Sequence, residues 1–177
     1  MHLTFYHPNS KNTGSAANWF VGRDNGLFLK VTKQVSWDEG KRVGSFFANT
    51  KNPEGHVMLK FAQVEIGSLL LLLEKGVKFN SMHKSKDRTI SFVFDLYKKE
   101  GATIGTSWSI FKTPNDDSTK KSQFGIALNI PETTTLKHFL IEALKKSFET
   151  LEDSKDTGSA KTETEASPTP ETEPVDF

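Results

Sequence analysis

Residues 131–149, PETTTLKHFLIEALKKSFE, decide how this chain folds. Leu136, Phe139, Leu140, Ala143, Leu144 and Phe148 recur at the three- and four-residue spacing of one helix face. Pro131 suits the first turn, where its missing N–H costs nothing. A single amphipathic helix cannot bury such a stripe alone, so it needs a sheet to lie on. Upstream the chain reads as strands; downstream it reads as disorder. A shorter helix, over residues 64–75, ends an earlier block of strands, reads as the lid of that block as the long helix does of the second, and is closed by Gly76.

Working outward, each helix is preceded by four strand patterns. The first block predicts strands at 18–21, 27–37, 42–49 and 56–62. Asn25-Gly26 is a hairpin-turn signal between the first two. The second block predicts strands at 77–83, 88–97, 103–112 and 122–130. Ile90, Phe92, Phe94 and Leu96 alternate with polar neighbours, as do Phe124, Ile126 and Leu128. The expected fold class is therefore α+β, two repeats of four antiparallel strands followed by a helix. The repeat is one of pattern, without residue-level identity. Residues 1–17 read as a flexible N-terminal arm and 18–150 as the folded domain. Residues 151–177 read as a disordered acidic tail ending in Phe177.

Charge divides along the same boundary. The 177-residue chain has a net charge of only +1. Residues 151–177 nevertheless carry eight acids and two bases, a net −6, which leaves +7 on residues 1–150. A basic body with an acidic tail is a partner signal: the body attracts a polyanion and the tail something basic. Cysteine is absent, which excludes disulfides and thiolate metal sites. The first residues, MHLTFYHPNSKNTG, lack the charged-then-apolar design of a signal peptide. The longest apolar run, residues 69–73, is too short to cross a bilayer. These features predict a cytoplasmic protein without a membrane association, in the host cytoplasm if viral.

No phosphate-cradling glycine loop and no nucleophile elbow occur. His2, His7, His56, His83 and His138 have no metal-ligand spacing. Glu65, Asp87 and Asp95 could in principle hold a nuclease metal, but a salt-bridged surface accounts for them better. The expectation is no enzyme, no metal and no cofactor.

What the sequence does contain is basic residues interleaved with aromatics on strand faces. Lys and Arg neutralise phosphates, and flat rings stack on unpaired bases. The candidates are Phe28, Lys30 and Lys33 on one strand, Trp37 and Lys41 at a hairpin, Arg42 and Phe46 on the next strand, and Lys60 on the fourth. Trp108, Phe111 and Lys112 are added from the second block. Trp108 shares the parity of Ile104 and Ile110, which favours the core. Phe28 and Phe46 have the opposite parity, which favours exposure.

This arrangement, ββββα twice with a basic sheet and an acidic tail, resembles the Whirly and positive-cofactor-four-like group of single-stranded DNA-binding proteins. The resemblance covers residues 18–149 by topology. It implies a non-enzymatic protein whose strand faces grip extended single-stranded DNA, or RNA, and which forms a homo-oligomer. The plant Whirly signature is a Lys-Gly-Lys-Ala-Ala-Leu run. Here the comparable place reads Asn25-Gly26-Leu27-Phe28-Leu29-Lys30, which points to the bacteriophage or bacterial type. The tail end, ETEPVDF, resembles the acidic, aromatic-ended tips of bacterial and phage single-stranded DNA-binding proteins. That implies recruitment of replication or recombination proteins through Glu171, Glu173, Asp176 and Phe177. The expected function is sequence-independent single-stranded DNA binding in replication, recombination or repair. The alternatives are an RNA-binding or transcription-cofactor role on the same fold, and a non-catalytic scaffold that binds an acidic protein.

Overall fold

Alternating apolar and polar residues set the faces of two antiparallel sheets. The computed structural model describes residues 1–156. The first sheet is a meander of β1 (His2–His7), β2 (Ser15–Val21), β3 (Leu27–Lys33) and β6 (His56–Phe61), in that spatial order. The second is a meander of β7 (Phe79–Lys84), β8 (Arg88–Lys99), β9 (Ala102–Pro114) and β10 (Ser122–Asn129). Between β3 and β6 the chain makes an excursion: a small hairpin of β4 (Ser36–Asp38) and β5 (Val43–Ser45), then the short helix α1 (Phe47–Lys51). Helix α2 (Gln63–Lys75) follows the first sheet and α3 (Ile130–Asp156) follows the second. The architecture is thus ββββα repeated, as the sequence pattern predicts.

The inner faces meet in a single core. Trp19 of β2 is fully buried and packs edge-on against Trp108 of β9, with ring centroids 5.5 Å apart. Phe61 stacks on the other side of Trp19 at 5.4 Å and touches Phe92 and Phe94 of β8. The helices add Ile66, Leu69 and Leu72 from α2, and Leu136, Phe139, Leu140 and Ala143 from α3. Burial of such large side chains is the main favourable term, worth about 1.5–3 kcal/mol for each one fully removed from water. Gly76 ends α2 in the left-handed conformation (φ 70°), and its N–H donates to the Leu72 carbonyl at 2.8 Å.

Three expectations are corrected. Residues 1–17 are not a loose arm: Leu3 and Phe5 alternate with polar neighbours, and that pattern lets His2–His7 pair with β2 as an edge strand. Residues 42–49 are not a sheet strand. Only Val43–Ser45 is extended, and the chain turns helical at Phe47, where Thr50 donates to the Phe47 carbonyl and Asn49 to the Lys33 carbonyl. Asn and Thr side chains compete with a ladder by bonding nearby backbone in this way. The place of the missing strand is taken by β1. Finally, α2 does not lid its own four strands. It packs against β7 and β8 of the other repeat and against α3.

Candidate nucleic-acid interface

With the inner faces largely taken up by the core, the outer sheet faces are left to solvent or a ligand, and that of the first sheet brings aromatics and cations together. Strand register arranges its side chains in cross-strand rows. His2, Phe20, Phe28 and Lys60 form one row, and Thr4, Asn18, Lys30 and Met58 form the next. Phe20 and Phe28 are stacked, with centroids 5.2 Å apart and planes 10° from parallel. The Lys60 ammonium stands 5.4 Å from the Phe28 ring centroid and pairs with Asp24 at 2.6 Å. That hydrogen bond is the chief reason the Asp24 carboxyl is held below its usual range. Lys30 donates to the Thr50 carbonyl at 2.9 Å, which aims its charge across the face.

A third row, Tyr6, Ala16, Thr32 and His56, is partly roofed by the excursion. Phe46 is buried there and meets Tyr6 edge-on at 5.8 Å. Phe46 is therefore a packing residue, not an exposed stacking ring: the helical turn after it folds it onto the sheet. Tyr6 and Met58 stay 65% and 53% exposed on either side.

The other predicted residues are scattered. Lys33 has the parity of Leu27, Leu29 and Val31, so it belongs to the inner side, with its ammonium 4.7 Å from the Phe124 ring centroid. Lys112 is likewise inward and only 4% exposed, so it is not on the stacking face. Its parity matches Trp108 and Ile110, which also lie in the core. Trp37 is half-buried, and Lys41 and Arg42 are exposed, all on the β4–β5 hairpin away from the Phe20–Phe28 pair. The structure thus groups Phe28, Lys30 and Lys60 and separates the rest. Glu171, Glu173, Asp176 and Phe177 lie outside the described residues.

Sequence reasoning missed Phe20, Tyr6 and Met58. Phe20 was legible as an alternate-parity aromatic next to buried Trp19, but its partner required the β2–β3 register. On the second sheet, Phe111 carries the Lys121 ammonium 4.1 Å from its ring centroid, a smaller version of the same pairing. Glu65 is hydrogen-bonded to His83, and Asp95 lies 3.6 Å from Lys78, so two of the three carboxylates considered for a metal are engaged by a neighbouring side chain. Among the described residues, no three His, Asp or Glu side chains gather to hold a metal, and no helix is long and apolar enough to cross a membrane.

No protein-family model and no curated protein matches the sequence. Solved structures do match in shape. WHY3 from Arabidopsis thaliana superposes with a TM-score of 0.60 at 10% identity, over 90% of this chain and 95% of that one. WHY1 from Arabidopsis thaliana gives 0.60 at 9% identity, over 94% and 97%. The plant transcriptional regulator PBF-2 gives 0.58 at 11% identity, over 93% and 90%. At these identities the likeness concerns the fold, and the fold of this chain is Whirly-like.

Proposed function

We propose that this chain is a sequence-independent single-stranded DNA-binding protein of the bacteriophage or bacterial Whirly-like type. It is non-enzymatic and cytoplasmic, and it acts in DNA replication, recombination or repair. The observation that carries this reading is the Phe20–Phe28 stack flanked by Lys60 and Lys30 on an uncovered sheet face. Rings supply sequence-tolerant stacking, about 1–3 kcal/mol per base, and the ammonium groups meet phosphates. A homo-oligomer is supported by apolar side chains left exposed on the helices: Val64 at 81%, Leu71 at 46% and Phe148 at 50%. The acidic tail recruits partner proteins through Glu171, Glu173, Asp176 and Phe177.

The test is a titration of an unstructured oligonucleotide at several salt concentrations. Affinity should fall linearly in log–log form as counterions are released. Absence of binding at moderate salt would leave a scaffold for an acidic protein. The likeness to PBF-2, described as a transcriptional regulator, favours a second reading as a transcription cofactor on the same fold. Competition between single-stranded DNA, RNA and duplex separates the two. Deleting residues 152–177 should preserve or tighten DNA binding while abolishing partner recruitment; weaker DNA binding at fixed salt would count against the recruiting tail.

A further inference from the structure

A cluster of cations lies beside the stacking face without belonging to it. Arg88 at the start of β8, Lys112 in β9 and His56 at the start of β6 line a cavity of 190 Å³ between the two sheets. Lys112 is 4% exposed. Its ammonium donates to the carbonyl of Pro53 and, at 3.5 Å, to that of His56. Its ion-pair partner among the described residues is Glu54, 3.8 Å away on a mostly exposed side chain. The other oxygen of Glu54 already accepts from Ser122 at 3.0 Å. Lys33 does not line the cavity but adds a further ammonium near Lys112: the two lie 4.7 and 5.8 Å from the centroid of one ring, Phe124. Burial, then the charges of Arg88 and Lys33, hold the Lys112 ammonium below its usual range, against the pull of Glu54.

His56 is oriented by its neighbours. Its Nδ1 donates to the carbonyls of Asn49 and Asn52 at 3.0 and 2.8 Å. Carbonyls only accept, so Nδ1 carries the proton, and Nε2 of the neutral ring is an acceptor that does not donate to an anion. Cations in excess over carboxylate, one of them buried, leave a positive field that an anion would relieve. An Arg fork suits tetrahedral oxyanions, which it can grip through two parallel hydrogen bonds.

We infer that this cavity is a phosphate-binding subsite, in which Arg88 holds the anion, buried Lys112 supplies a fixed positive field and His56 forms part of the wall. Met58 joins the cavity wall to the Thr4–Asn18–Lys30–Met58 row, so the subsite opens at the β6 edge of the stacking face. The phosphate comes either from a nucleic-acid backbone or from a free phosphate or mononucleotide. The subsite rests on the cation cluster; only the backbone source rests on the proposed function.

The experiment titrates the full chain, Arg88→Gln and Phe28→Ala with three probes: an abasic deoxyribose-phosphate oligomer, inorganic phosphate, and a base-bearing oligonucleotide. Binding is read by calorimetry and by the His56 ring signals in NMR. Arg88 is exposed, and unchanged thermal unfolding confirms that the variant folds. A backbone source predicts that the abasic oligomer shifts the His56 signals and binds Arg88→Gln about tenfold more weakly, the loss of one charge-assisted hydrogen bond, with Phe28→Ala unaffected. A free-phosphate source predicts that inorganic phosphate alone does so. Failure of both probes to move the His56 signals, or equal affinity in Arg88→Gln, overturns the subsite. Loss of base-bearing oligonucleotide binding in Phe28→Ala alone would then leave the stacking face standing without it. Phosphate binding without any oligonucleotide binding would keep the subsite and remove the stacking face.

Discussion

His7 Nε2 lies 2.7 Å from Glu132 Oε1, joining the last residue of β1 to the first turn of α3. The other oxygen of Glu132 accepts the Asn129 N–H at 2.9 Å, while Asn129 Oδ1 accepts the Glu132 N–H at 3.0 Å, a complete capping box. The second repeat mirrors this. His83 of β7 meets Glu65 of α2 at 2.8 Å, and the other oxygen of Glu65 accepts the Ala62 N–H at 2.9 Å. Each helix is therefore capped by a carboxylate that also clasps the edge strand of the opposite repeat. The two clasps cross between the sheets, as α2 does when it packs on β7 and β8.

Replacing Glu132 by Ala should remove a cap and a clasp together. We expect a loss of about 1–2 kcal/mol in urea unfolding. A double-mutant cycle with His7→Ala should return a coupling of up to about 1 kcal/mol, as for partly exposed pairs. A coupling of zero would reduce Glu132 to a helix cap alone.

Phe28 and Phe46 should behave in opposite ways. Phe28→Ala and Phe20→Ala should each weaken single-stranded oligonucleotide binding by about 1–3 kcal/mol, read by fluorescence anisotropy, with little change in stability. Phe46→Ala should destabilise the fold by about 3 kcal/mol, because it empties a buried site under Tyr6. Loss of stability in Phe28→Ala comparable to that in Phe46→Ala would assign Phe28 to packing.

Asp24 competes with phosphate for Lys60. Asp24→Asn should free the ammonium and tighten oligonucleotide binding by about two- to fivefold at low salt, the range of an exposed pair. The gain should vanish at high salt. The Asp24 carboxyl is depressed in the folded chain, so the pair's contribution to stability is present above 3.8 and is lost as pH falls through the lower folded value. Acid titration of Asp24 by NMR, with and without Lys60→Ala, checks the direction.

Lys112 gives a slope of the same sign for a different reason: its charged form is disfavoured by the fold rather than stabilised. Burial holds its ammonium below the ordinary 10.5. Between the folded value and 10.5 the unfolded chain binds more protons, so stability should rise with pH in that window. Lys112→Met should flatten that rise in unfolding curves taken across it. An unchanged slope would show that the ammonium is not destabilised by its surroundings.

Much of the fold was legible because alternation and helical spacing are local. The strand patterns around Phe92 and Phe124, the Asn25-Gly26 turn, the Gly76 stop and the α3 stripe all follow from neighbours in sequence. The turn closes with the Gly22 N–H donating to the Gly26 carbonyl at 2.9 Å. Where local signals conflicted, reading failed. Leu3 and Phe5 make too short a pattern to stand out beside the polar residues that follow. Phe46 and Phe47 look like strand until Asn49 and Thr50 bond the backbone. Of the candidate site, Phe28, Lys30 and Lys60 were found by parity, whereas Lys33 and Lys112 carry the parity of buried neighbours and turn inward.

The sequence by itself determined the ββββα repeat, the basic body with its acidic end, and which strand residues alternate. Only the tertiary structure decided which aromatics meet. Phe20 and Phe28 stack because a hairpin register sets them opposite each other, a relation between strands that no single strand encodes. The same holds for the crossed helices: an apolar stripe specifies that a helix must be covered, but shape complementarity in three dimensions selects the sheet that covers it.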